Sequence, residues 1–284
     1  MRPAVVEYVA ARTLEEVLAA LADGETAVLA GGQSLILELT AQEAAPRRVV
    51  DINEVAGLDM LTESGGFVRV GPLIRHREFE SDMIGGALGE LMRCVVRHIG
   101  HPPIRARGTM LGSLANANPA AEWPALAVAV GAQLELIGPR GCRTIAAGEF
   151  FTGPFTTVRR PDELLLEARL PVLVTGTGIG YAEDRRTTVY PQAAAMAAVT
   201  VTGGVVSAAS IGLVNAGPCP VRGRAAERAL TGTDFSDAAI SAAAEAAAEA
   251  DATTADRRAF QTLTRRALTR ARDRCQGASS IGAR

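Results

Sequence analysis

The 284 residues predict an α+β chain, on three observations. Apolar residues recur at helical spacing in several separate stretches. Short β-prone runs are joined by glycine-rich turns at Ser64-Gly65-Gly66, Gly138-Pro139-Arg140-Gly141 and Gly203-Gly204, as antiparallel hairpins require. A hydrophobic share of 48% with 21% charged residues supplies enough apolar surface for a globular core.

Taken in order, Thr13-Leu14-Glu15-Glu16 has the form of a capping box, and Leu14, Val17, Leu18 and Leu21 follow on one face. A first helix is therefore expected from Thr13 to Asp23. Thr26 to Leu29 reads as a short strand that runs directly into Ala30-Gly31-Gly32-Gln33-Ser34. Arg47 to Ile52 reads as a strand, and Leu58 to Gly71 as a hairpin. Leu88, Leu91, Met92, Val95, Val96 and Ile99 form one stripe, so a core-facing helix runs from Ala87 until Gly100 and two prolines end it. An apolar, helix-like run begins near Ala120. Gln133 to Ile137 and Cys142 to Ile145 form a hairpin, followed by a strand over Glu163 to Leu170.

Pro171 to Gly180 is the most linker-like segment and the candidate domain boundary. Beyond it, Gly180 to Arg186, Ala193 to Thr202 and Val205 to Asn215 suggest a small antiparallel sheet. Helices are expected over Val221 to Leu230, Ser236 to Ala250 and Ala255 to Arg274. The seven arginines of the last helix fit a solvated face better than a nucleic-acid stripe. Residues 276–284 have little to bury and read as a flexible tail. No internal repeat is found.

Composition removes several functions. The sequence contains no lysine, so Schiff-base and P-loop chemistry are excluded. A formal net charge of -2 argues against a broad nucleic-acid footprint. Cys94, Cys142, Cys219 and Cys275 lie far apart, without the spacing of an iron–sulfur cluster. His98 and His101 straddle a helix break with no carboxylate or cysteine expected nearby, so no metal site is assigned. The start lacks a leader pattern and no apolar run reaches bilayer length, which predicts a cytoplasmic protein with reduced thiols.

The chemistry gathers in two stretches. Ala30 to Ser34 joins a strand to a Gly-Gly turn, whose successive N–H groups can form an anion nest. Ile104 to Leu126 packs Gly108, Gly112, Ser113, Asn116 and Asn118 into a loop that enters a helical run. Two such turns suit a pyrophosphate gripped from two sides, which makes a dinucleotide the leading ligand class. No G-x-G-x-x-G follows a strand here, so the site is not of the Rossmann kind, and no G-x-S-x-G supports a hydrolase.

Ala30-Gly31-Gly32-Gln33-Ser34-Leu35, with the run from Gly108 to Pro119, resembles the paired FAD-binding signatures of the medium flavoprotein subunit of molybdenum hydroxylases, the carbon monoxide dehydrogenase and xanthine dehydrogenase relatives. Ile211 to Arg222 resembles the start of that family's C-terminal domain. The resemblance implies a two-part FAD-binding domain of the vanillyl-alcohol-oxidase/PCMH type over residues 1–172, divided near 54, and a C-terminal sheet-plus-helices domain over 177–275. It places the pyrophosphate on Gly31 to Ser34 and on Thr109 to Ser113, a stretch that includes Leu111 and Gly112, with Asn116 in the same motif. Ile104 would cover one face of the isoalloxazine and Tyr190 would lie near the ring.

Two positions depart from the family pattern. Asn118 stands where an aspartate usually bonds ribityl or ribose hydroxyls, and Leu111 where glycine is usual, which would strain a backbone of positive φ. Gln33 occupies the candidate position for a covalent histidine link, so the FAD is expected to be non-covalent.

The resemblance implies an electron-transfer subunit with no catalytic residue of its own. Molybdopterin would sit on a large partner subunit and [2Fe-2S] clusters on a small one, in a dimer of heterotrimers that passes electrons to an external acceptor. FAD suits the task because it takes electrons singly and releases them singly or in pairs. A stand-alone FAD oxidase or dehydrogenase of the same fold, and a non-catalytic nucleotide-binding module, are the two alternatives.

Overall fold

A computed structural model describes residues 6–41, 46–186, 190–253 and 256–281, with side chains as far as 275. The chain begins with a three-stranded parallel sheet of order β1-β3-β2, made by β1 (Glu7–Ala10), β2 (Thr26–Leu29) and β3 (Arg48–Asp51). The crossovers carry α1 (Leu14–Leu21) and α2 (Leu35–Ala41). α1 starts where the Thr13 hydroxyl accepts the Glu16 N–H, while the Glu16 carboxylate accepts the Arg12 N–H at 2.7 Å. Both donors lack intrahelical partners, so the exchange satisfies two orphans of the helix start.

The helix ends at Leu21, two residues earlier than expected. Asp23 is drawn into the following turn, accepting from the Glu25 N–H, the Thr26 hydroxyl and the guanidiniums of Arg47 and Arg48. Val17 and Leu21 pack with Val50, Ile52 and Leu58 as one core.

The second part is an antiparallel sheet of order β4-β5-β10-β6-β7. Its strands are β4 (Leu61–Ser64), β5 (Phe67–Val70), β6 (Gln133–Gly138), β7 (Gly141–Ala146) and, after a small ribbon of β8 (Phe151–Gly153) and β9 (Thr156–Thr157), β10 (Leu164–Pro171). The first hairpin turns on Gly65 and Gly66, both at positive φ, as a two-residue turn matched to strand twist requires.

Val68, Val70, Leu134, Leu136, Ala168 and Leu170 belong to the apolar core. Arg69, Glu167, Arg169 and Glu135 form a cross-strand ladder of ion pairs. Five helices accompany the sheet: α3 (Gly86–Val96), α4 (Pro102–Arg105), α5 (Met110–Asn116), α6 (Glu122–Val130) and α7 (Ala147–Phe150). Every residue of α6 is buried, so it is a central packing element rather than a surface helix.

The third part is an antiparallel sheet of order β11-β12-β13-β14, from β11 (Gly178–Asp184), β12 (Ala193–Thr202), β13 (Val205–Val214) and β14 (Val221–Arg222). β12 is sandwiched. Ala194, Met196 and Ala198 join the core of α3 and α6, while Ala193, Ala195, Ala197 and Val199 join a second core. That alternation is the two-residue period of a strand covered on both faces. The second core is closed by α8 (Arg224–Leu230), α9 (Asp237–Ala246), a π turn over Ala247–Asp251 and α10 (Arg257–Ile281). α10 lies directly on β11, where a Cβ at Gly178 or Gly180 would overlap the carbonyl oxygens of Ala271 and Ala267.

Further expectations are corrected or refined. Val221 and Arg222 pair with Leu213 and Gly212 as a strand, and the helix begins only after Gly223. The linker is shorter than Pro171 to Gly180, because β10 includes Pro171 and β11 starts at Gly178. The expected tail is helical over 276–281, continuing α10, and 282–284 lie outside the described residues. The arginine-rich face of α10 is largely exposed as expected, but it is also tied down: Arg270 and Arg274 donate to the Tyr181 and Ile179 carbonyls of β11, and the half-buried Arg272 pairs with Asp237. Arg257, Arg258, Arg265 and Arg266, like Arg270 and Arg274, are exposed. Among the described residues no helix is long and apolar enough to cross a membrane.

Candidate functional site

β2 delivers the chain to the carboxyl edge of the parallel sheet, where Ala30 to Ser34 turn into α2. Gly32 takes a φ of 74°, which glycine adopts without strain. Gly31 meets the second motif backbone to backbone: a Cβ there would run into the Arg107 carbonyl oxygen and lie 2.7 Å from Gly108 Cα. The contact opens onto a cleft of about 460 Å³, within the range of small-molecule sites.

Thirteen of the fourteen residues named from sequence line it: Ala30, Gly31, Gly32, Gln33, Ser34, Leu35, Ile104, Thr109, Leu111, Gly112, Ser113, Asn116 and Tyr190. Asn118 is the exception. Its oxygen accepts the Ala120 N–H at 2.9 Å, and its side chain hydrogen-bonds to Tyr190. The bond favours the ionised phenol, so the amide nitrogen is the donor to the phenol oxygen. Asn118 therefore braces the Tyr190 side chain, which lines the cleft.

That geometry gives the first prediction. Asn118→Asp removes the donor to Tyr190 and adds a charge behind the ring. Flavin content is expected to stay unchanged while the reduction potential falls by a few tens of millivolts, on the order of 1 kcal/mol at an effective dielectric of about 20. An unchanged potential in parallel redox titrations would show that Asn118 does not communicate with the flavin.

The polar groups of the cleft fit an anionic dinucleotide. Among the described residues the amides of Gly31 to Ser34 meet no acceptor, and neither do the hydroxyls of Ser34 and Ser113. In the second loop the Thr109 Oγ1 accepts the Gly112 N–H at 3.0 Å, and the Met110 N–H donates to the Ile74 carbonyl. The Leu111 N–H has no acceptor among the described residues. Buried or half-buried donors without partners are rare in folded proteins and mark places where a ligand completes the set.

Leu111 is unstrained. It lies within α5 and is buried, so the family's usual glycine is replaced at a helical position that tolerates a side chain. The residue of positive φ is instead Ala117, which caps α5 in the left-handed region.

The cleft also contains residues the sequence did not single out. Glu122 is 2% exposed, and its carboxylate accepts from Arg185 at 2.8 Å. Burial outweighs that pairing and lifts its pKa to about 7. Arg185 also binds Glu183, whose pKa falls to about 2 despite burial because His98 and Arg185 both hold its carboxylate. His98 Nδ1 lies 2.8 Å from Glu183 and its ring packs on Tyr181, so this histidine braces α3's end against β11.

Arg159 lines the cleft and donates to the Arg160 and Glu163 carbonyls. Among the described residues it forms no salt bridge, and burial lowers its pKa. Glu163 is engaged by Arg143 in a two-point pair. No cluster of metal-ligating side chains is present among the described residues.

A strand-edge glycine nest facing a second glycine loop, over a cleft of unpaired donors, defines a dinucleotide-binding protein of non-Rossmann type. The description "FAD binding domain in molybdopterin dehydrogenase" matches residues 4–173, and "CO dehydrogenase flavoprotein C-terminal domain" matches residues 182–271. The chain belongs to this family of FAD-binding subunits of molybdenum hydroxylases.

It is 35% identical over 259 residues to the carbon monoxide dehydrogenase medium chain of Afipia carboxidovorans, covering 90% of this chain and 88% of that one. It is 32% identical over 250 residues to the nicotine 6-hydroxylase medium subunit of Paenarthrobacter nicotinovorans, covering 88% of each. The carbon monoxide dehydrogenase structure from Hydrogenophaga pseudoflava superposes with a TM-score of 0.91 at 32% identity, over 97% of this chain and 100% of that one. The α+β fold and the oxidoreductase class expected from sequence agree with these likenesses.

Proposed function

We propose that this chain is the electron-transfer subunit of a molybdenum-containing hydroxylase or dehydrogenase. In this reading FAD is held non-covalently between the two glycine loops. Residues 1–172 form the two-part FAD-binding domain and residues 177–275 the C-terminal domain. The observation that carries the reading is the convergence of Gly31 and Gly108 over a cleft whose free amides and hydroxyls match a pyrophosphate.

When bound, the flavin supplies one- and two-electron redox chemistry. The protein's own residues bind and orient it. Gly31 to Ser34 and Leu111 offer backbone N–H groups, Ser34 and Ser113 offer hydroxyls, and Ile104 and Tyr190 supply apolar and aromatic surface. Asn118 positions Tyr190. Arg159 adds a cation whose charge no salt bridge neutralises among the described residues, which favours an anionic ligand.

The partners in this reading are a large molybdopterin-binding subunit and a small iron–sulfur subunit, assembled as a dimer of heterotrimers. Electrons enter from the iron–sulfur clusters and leave to an external acceptor, with the complex in the cytoplasm. Co-purification of the native complex with cofactor analysis tests this. The expected result is three chains with molybdenum, iron and FAD, together with an isolated chain whose FAD is reduced by substrate only after the partner chains are added. Recovery of this chain alone, without molybdenum or iron, would count against the assignment.

A further inference from the structure

We infer that His76 is a neutral hydrogen-bond donor to the bound dinucleotide, with Trp123 determining which ring nitrogen carries the proton. The inference rests on the reading of the cleft as an FAD site. His76 follows β5 in a short 3-10 turn, is 5% exposed, and lines the cleft. Its backbone N–H donates to the Gly108 carbonyl at 2.9 Å, which ties it to the second glycine loop. Its ring lies directly under that loop: a Cβ at Gly108 would come within 2.7 Å of both Cδ2 and Nε2. Glycine at 108 is thus required by the histidine ring and by the Ile104 carbonyl oxygen.

The far edge of the ring is fixed. The Trp123 indole N–H donates to His76 Nδ1 at 3.0 Å. An indole nitrogen can only donate, so Nδ1 must present its lone pair and the proton must sit on Nε2. Burial, aided by the nearby charges of Arg105 and Arg75, brings the pKa down to about 4, so the ring stays neutral. Trp123 lies on α6 with no exposed surface, so the indole has little freedom to turn away.

The Nε2–H meets no acceptor among the described residues, and it is not among the fully enclosed polar atoms without partners, which are Arg48 Nε and Thr264 Oγ1. A donor that is neither satisfied by protein nor sealed from the cleft is placed to meet a ligand acceptor there. The donor is uncharged and held by a rigid partner, so it adds orientation without adding charge beside the flavin.

The sequence contains three histidines, which makes the test direct. In the full chain labelled with 15N-histidine, His76 is assigned by comparison with the His76→Asn variant. Without FAD it should show the Nε2–H tautomer. On addition of FAD, its proton should move downfield and exchange with water about tenfold more slowly, while His98 and His101 stay unchanged. His76→Phe should weaken FAD binding about tenfold, and His76→Gln, which restores an N–H, should recover most of it. Trp123→Phe should let the Nδ1–H tautomer appear.

FAD bound with the His76 resonance and exchange rate unmoved would overturn the inference, as would equal affinities for the Phe and Gln variants. Failure of the unmodified chain to bind FAD would instead overturn the reading of the cleft, and this inference with it.

Discussion

Gly31→Ala is expected to strip the flavin from the protein. The added Cβ would strike the Arg107 carbonyl oxygen and press on Gly108 Cα, both backbone atoms. A side chain in that place would swing aside, but backbone yields only if one loop moves as a unit. The donors on the two sides of the cleft would then lose their common focus, and misplacement of about an ångström costs on the order of 100-fold when several groups must act together.

FAD affinity should fall by at least about 100-fold, roughly 3 kcal/mol, with the fold retained. Gly148→Ala is the control, since a Cβ there meets nothing within 4 Å. The readout is flavin absorbance of the purified protein and FAD released on denaturation. A Gly31→Ala protein with a full complement of flavin would show that the two loops do not share the ligand.

Arg185→Met should be the most destabilising single change in the buried charge network. It leaves Glu122, 2% exposed, without its cation, and removes one of three partners of Glu183, leaving His98 and the Tyr181 hydroxyl. Breaking one side of a buried pair costs about 3–5 kcal/mol. The loss should depend on pH in a definite direction. The pKa of Glu122 is raised from the ordinary 4.5 to about 7, so its contribution is fully present below about 4.5 and disappears as pH rises through 7.

Without Arg185 that pKa climbs further, and the penalty of a buried carboxylate is felt mainly above neutrality. Glu183 acts oppositely: its pKa is depressed to about 2, so its stabilisation is present above about 4.5 and lost only in stronger acid. Between pH 5 and 8 the Glu122 effect therefore dominates. Urea unfolding should give a deficit of about 4 kcal/mol at pH 8 that is smaller by about 1 kcal/mol at pH 5. Equal deficits at the two pH values would mean that Glu122 does not titrate in this range.

Much of the fold was legible because its determinants are local. The Thr13–Glu16 cap and the Gly65-Gly66 turn each depend on residues within a few positions, and both formed where the pattern put them. Boundaries shifted where a distant partner took over. Asp23 left the helix for Arg47 and Arg48, and Val221 and Arg222 joined β13 before Gly223 allowed a helix.

The two glycine loops were legible in the same way, since backbone freedom and small polar side chains are written in the sequence itself. Their mutual contact was not. Glu122 was hidden inside an apolar run, and its partner Arg185 lies 63 residues away. His76 and Trp123 are 47 residues apart, so nothing in their spacing announces a hydrogen bond. Asn118 was legible as part of the motif, but its engagement with Ala120 and Tyr190 appears only when the loop is folded.

The seating of α10 on the Gly178 and Gly180 backbone also sets an order of events during synthesis. β11 to β13 are complete once Val214 is made, yet one face of that sheet is covered by Leu263, Ala267, Leu268 and Ala271. A nascent chain emerging from the ribosome therefore exposes an alanine- and valine-rich surface until the last helix follows. Because β11 is an edge strand that α10 overlies, stalled or shortened chains would present the combination that invites strand addition by other chains. The last helix is thus the cover for one face of the preceding sheet.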